Sequence, residues 1–250
     1  MPVQQTNPPQ STPAVGGQLV NPLISEIAGG LIFCITGNVR FALSIPLLSS
    51  ELRHLLSLLE AGRFRELQAF APLPDELLSL KGVFLAGKGD FTQCPNFAAV
   101  VQELVRVREM SRFPDFKMVL ITDGTGLDAP DVQLGLRHFL PSDEVWIRLD
   151  SATYRDNEEL IEKILSLAVK RPVVIQSAFF AVHGESPSNS EIKNYIRRLK
   201  KLRRCGAQVA LVQICSPPPQ DSKRDQLKLR NLSLIARRIR EDTGCCTEFY

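Results

Sequence analysis

Along most of the chain, short apolar runs alternate with longer amphipathic ones. Six runs read as strands: 31–36, 82–86, 117–122, 144–150, 172–179 and 208–215. They are rich in Val, Ile, Leu and Phe and lack strict two-residue alternation, the pattern of parallel strands buried on both faces. Six helix-like runs lie among them, at 49–61, 96–108, 131–138, 157–169, 190–204 and 225–242. In the fifth, Ile192, Tyr195, Ile196, Leu199 and Leu202 fall on one face at helical spacing. Ser190, with Glu191 behind it, reads as the cap of that helix, and Gly206 follows its end. A last short strand at 247–250 closes an edge.

Strand–helix alternation with right-handed crossovers predicts an α/β fold with a parallel sheet. Two architectures satisfy it, an open doubly wound sheet and a barrel or part of one. In both, ligands meet the carboxyl ends of the strands.

The 250 residues suffice for one sizeable domain. Residues 1–17 hold four prolines and almost no large apolar side chain, so a disordered tail is expected there and the folded domain at 18–250. A net charge of +3 is too small to argue for nucleic acid by itself. No apolar run approaches the roughly 20 residues that cross a bilayer, and the start lacks a signal-peptide pattern. The expectation is therefore a cytoplasmic protein with no membrane association. The six cysteines form no CxxC pair, and Cys245 and Cys246 are adjacent, so free thiols are expected. His54, His138 and His183 are scattered without zinc-site spacing, and no phosphate-binding loop, nucleophile elbow or kinase motif is present.

Candidate chemistry lies where strands end. After the second run comes Ala86-Gly87-Lys88-Gly89-Asp90-Phe91-Thr92. Its glycines let backbone approach a ligand, and the Asp90 carboxylate suits an ammonium group; a tight turn with a solvated acid is the plainer alternative. The third run ends in Thr122-Asp123-Gly124-Thr125, and the fourth in Arg148-Leu149-Asp150-Ser151. Charges inside an apolar strand need partners, so this pair is a core ion pair or a ligand contact. Gln176 and Gln213 interrupt the fifth and sixth runs. Polar groups at equivalent places in several strands point to a shared polar cavity.

The segments AGKGDFTQCPNF (86–97), VLITDGTGLDAP (119–130), EVWIRLDSAT (144–153), RPVVIQSAFF (171–180) and GAQVALVQICSPPP (206–219) resemble, in order and spacing, the radical S-adenosylmethionine (SAM) superfamily. The likeness is to the branch near wyosine-tRNA synthase and the molybdenum-cofactor enzymes, and covers about two thirds of the chain. It implies a partial (β/α)6 TIM-like barrel. It also implies that Gly87, Gly89 and Asp90, with Thr92 in the same loop, hold the methionine amino group of SAM; the usual Glu is Asp here. Asp123 stands where relatives often carry Asn. Arg148, Asp150 and Ser151 match the polar set facing the SAM carboxylate and ribose, and Gln176 and Gln213 would line the substrate side.

The resemblance further implies a [4Fe-4S] cluster held by C-x3-C-x2-C. Aligning Cys34 as the third ligand places Ile27 and Leu31 at the first two, and neither can bind iron. The same alignment sets the first strand at 18–24, whereas the apolar pattern sets it at 31–36. Three readings follow: a cluster-poor relative that keeps a SAM-shaped pocket, an active enzyme with unusual ligation through Cys34, Cys94 and a non-cysteine group, and a catalytically empty interaction module. The run 193–204 (KNYIRRLKKLRR) holds seven basic residues opposite a clean apolar stripe. It reads as a solvated face, with RNA binding as the alternative.

Overall fold

In the computed structural model, residues 18–87, 89–113, 115–149, 158–216 and 224–250 are described. The expected disordered tail at 1–17 lies outside them. The chain opens with a hairpin, β1 (Val20–Ser25) and β2 (Gly30–Ile35), which runs into helix α1 (Ile45–Glu60). Strand–helix units follow: β3 (Leu80–Leu85) with α2 (Phe97–Met110), β4 (Lys117–Thr122) with α3 (Pro130–Leu136), and β5 (Glu144–Arg148) with α4 (Glu158–Ala168). Next come β6 (Val173–Ala178), a short β7 (Phe180–Val182), α5 (Asn189–Arg204) and β8 (Val209–Cys215). Strand β9 (Arg224–Gln226), helix α6 (Leu229–Thr243) and β10 (Thr247–Phe249) complete the order.

Eight strands form one sheet in the order β1-β2-β3-β4-β5-β6-β8-β10, and β7 pairs antiparallel with β9 in a separate ribbon. Only β1 runs antiparallel to its neighbour; every other pair in the large sheet is parallel. The predicted α/β class with a mostly parallel sheet is what forms. The sheet is not closed, and β1 and β10 are its edges. Both positions expected for the first strand are strands. The structure resolves the conflict as a hairpin, with β2 the first member of the parallel series.

Strand order follows chain order, and right-handed crossovers then bring the helices to one side of the sheet. Leu48, Leu104, Val132, Ile164, Leu199 and Ile239, one from each of α1 to α6, join a single large core with Phe33, Leu85, Met118, Ile147, Ile175 and Ile214 of the strands. A second, smaller cluster contains Ile32, Phe84, Val119, Trp146 and Val174 and takes no helix residue. The sheet therefore has a helix-covered face and a helix-free face.

Helix α5 begins at a capping box. The Ser188 side chain accepts from the Glu191 amide at 3.2 Å, and the Glu191 carboxylate accepts from the Ser188 amide at 2.9 Å. The cap is thus Ser188 and not Ser190, because the reciprocal bond needs the acid three residues beyond the cap. At the amino ends of β4 and β5, Arg108 and Asp143 form a buried ion pair at 2.8 Å. Asp143 also accepts from the amides of Met118 and Leu140, each at 2.7 Å. Among the described residues no helix is long and apolar enough to cross a membrane.

Candidate binding site on the helix-free face

The loop after β3 is tied to the end of β4 by one carboxyl group. Asp90 accepts from the Thr92 amide at 2.8 Å, the Thr92 hydroxyl at 2.6 Å, the Thr122 hydroxyl at 2.7 Å and the Asp123 amide at 2.6 Å. Its side chain is 4% exposed, so its acceptor capacity is spent inside the chain. Burial pushes the Asp90 carboxyl above the usual carboxylate range, and a hydrogen bond with the Asp123 carboxyl pushes it further. For Asp123, burial acts upward too. Hydrogen bonds from Asp90 and Thr125, with the Arg148 charge, outweigh it and hold this carboxyl low. Burial thus dominates at Asp90, whereas hydrogen-bond partners and the nearby cation prevail at Asp123.

The glycines of the same loop face the chain itself. A Cβ on Gly87 would lie 2.7 Å from Val39 and 2.8 Å from the Gly37 carbonyl, so the segment after β2 occupies the space beside the loop. Gly89 has φ +104°, a conformation that favours glycine, and also abuts Val39. Thr92 is buried and spends its hydroxyl on Asp90. Lys88 lies outside the described residues.

Further along the rim, register assembles the polar residues. Arg148 of β5 is the Cα partner of Gln176 on β6, which is the partner of Gln213 on β8. Gln213 in turn pairs with Glu248 of β10. Two residues earlier stand Trp146, Val174 and Leu211, all in the small cluster, so strand alternation places the polar row on the helix-free face at the carboxyl ends. Phe84 meets Trp146 edge to face at 5.4 Å, and the Trp146 indole donates to Glu144 at 2.6 Å, which fixes the floor. Arg148 is exposed and makes no hydrogen bond among the described residues, although the Asp123 carboxylate lies within its field. Gln176 donates to Gln213 at 3.3 Å.

Glu248 and Tyr250 extend this row and were not singled out by sequence. The Tyr250 hydroxyl donates to Glu248 at 2.5 Å, and burial with that bond pushes it up to about 12. Only strand register reveals them, since a three-residue edge strand carries little pattern. Asp150 and Ser151 lie outside the described residues.

The residues present do not fit an iron–sulfur cluster. Cys34 is inside β2, paired with Phe84 and packed in the small cluster, and burial pushes its thiol up to about 11, whereas a cluster ligand must be a thiolate. Leu31 is fully buried in the large core, and Ile27 sits with the hairpin turn against the small cluster. Cys94 is buried, its thiol raised by desolvation and set against Asn96 at 3.3 Å. Among the described residues no group of three His, Cys, Asp or Glu side chains could hold a metal ion. All six cysteines are free thiols. The apolar stripe of α5 is buried as its spacing predicts, with the basic residues on the opposite side. Compared with family models and with curated proteins, the chain has no match.

Proposed function

We propose that this chain is a cluster-free relative of the radical SAM proteins, a partial barrel that binds an adenosyl amino acid, SAM foremost, at the carboxyl ends of its parallel strands. The observation that carries this reading is the exposed Arg148, which makes no hydrogen bond among the described residues, in register with Gln176 and Gln213 and near the Asp123 carboxyl. An exposed guanidinium at a strand end is a ready fork for a carboxylate. The Asp123 carboxyl, which already accepts from the Thr125 amide and hydroxyl, adds oxygen acceptors at the same rim. Gln176, half-buried at the rim and held by the buried Gln213, supplies an amide for hydroxyl groups and ring edges. Open parallel sheets bind ligands at this edge, which supports the same location.

The reading is one of binding, without reductive cleavage, because among the described residues no donor set for an electron-delivering cluster comes together. Isothermal titration with SAM and with decarboxylated SAM tests it. SAM should bind below about 1 mM, a free energy of about −4 kcal/mol. Decarboxylated SAM should bind at least tenfold more weakly, and Arg148→Ala should abolish that difference. Equal binding of the two ligands by the unaltered chain would refute the role given to Arg148.

A further inference from the structure

Sequence alone shows one basic helix; the structure gives it a second wall. Helix α5 packs against α6, and a cleft of about 640 Å³ opens between them. Its basic lining is Lys193, Arg197, Lys200, Lys201 and Arg204 from α5 and Arg238 from α6. Among the described residues Asp242 is the one carboxylate in the lining, and it lies 3.9 Å from both Lys200 and Arg238. Lys201 reaches Glu158 at 3.0 Å, whereas Lys193, Arg197 and Arg204 make no ion pair among the described residues.

Positions 193, 197, 200 and 204 follow one face of α5 over about 16 Å at 1.5 Å per residue. Like charges three and four apart destabilise a helix, so this column carries a cost that a bound anion would remove. Among the described residues no aromatic side chain lines the cleft, so they offer no platform for stacking bases. Recognition there rests on charge. The volume falls in the range of small-molecule sites, and the cations converge on one cleft from two helices, which suits a compact ligand better than a long strand.

We infer that the α5–α6 cleft binds a small anion carrying several phosphates. It is independent of the SAM reading and rests on different residues. The test uses the full chain with inorganic tripolyphosphate as probe, titrated at about 50 mM and 300 mM salt. Binding should weaken at least tenfold at the higher salt and at least tenfold in Arg197→Glu/Lys200→Glu, while Arg112→Glu, an exposed change outside the lining, should leave it unaltered. A second readout needs no variant. Cys205 lines the cleft and is exposed, whereas Cys246 is exposed outside the lining. Tripolyphosphate should slow alkylation of Cys205 and spare that of Cys246. No binding at low salt, equal losses in both variants, or equal effects on both thiols would overturn the inference. So would binding of a 20-base-pair duplex that tripolyphosphate fails to displace.

Discussion

Gln176 donates through Nε2 to the Oε1 of Gln213 at 3.3 Å, and the two are Cα partners on adjacent parallel strands. Gln213 is only 4% exposed, so its carbonyl oxygen depends on that donor. Replacing Gln176 by Leu leaves a buried acceptor unpaired and should cost about 1–3 kcal/mol in urea unfolding. Adding Gln213→Leu should return part of that loss. A double-mutant cycle showing simple additivity would mean that the two amides do not act together.

Asp90 knits two strand ends together, and Asp90→Ala strands four donors at once. We expect a loss of about 2–3 kcal/mol, within the usual cost of unsatisfied buried groups. The pH dependence follows from the direction of the shift. A carboxyl raised in the folded state stabilises fully below its unfolded value, near 4, and loses that contribution as pH rises through its raised folded value. Urea unfolding from pH 4 to pH 8 should therefore show the advantage of the unaltered chain over Asp90→Asn shrinking as pH rises. A constant difference would show that the Asp90 carboxyl is not raised in the folded state.

The ion pair of Arg108 and Asp143 lies at the opposite, amino-terminal end of the strands. Removing one member of a buried pair typically costs about 3–5 kcal/mol, and Asp143→Ala also frees two amides. Thermal unfolding should register the loss, while ligand affinity of the folded fraction stays the same. Weakened affinity in a folded Asp143→Ala protein would connect the two ends of the sheet.

Cys34 should behave as a core thiol. Its value of about 11 leaves little thiolate at pH 8, so Cys205 and Cys246, both exposed, should react with a thiol reagent well before it. Being raised, it stabilises the fold below the unfolded thiol value and loses that contribution only as pH rises through about 11. Fast labelling of Cys34 at pH 8 would contradict that raised value.

Much of the architecture was legible because buried parallel strands and amphipathic helices write strong patterns. The run 117–122 coincides with β4, and the stripe Ile192–Tyr195–Ile196–Leu199–Leu202 is the buried side of α5. What escaped depends on distant pairing. β7 and β9 are three residues each and meet across some forty positions of chain, and the edge hairpin looked like two rival strands. Site residues Arg148, Gln176 and Gln213 were visible as polar breaks in apolar runs. That Asp90 is consumed internally could not be read, because it depends on which groups fold around it. The cleft wall from α6 was hidden for the same reason, since Arg238 lies 34 positions after Arg204.

The most direct test is to treat the protein with an iron chelator, verify by metal analysis that no iron remains, and titrate it with SAM beside the Arg148→Ala variant. We expect the iron-free protein to bind SAM and Arg148→Ala to bind it at least tenfold more weakly, a loss of about 1.4 kcal/mol or more. If iron-free protein binds no SAM up to about 1 mM, or if binding appears only after iron and sulfide are restored, the cluster-free binding site does not exist.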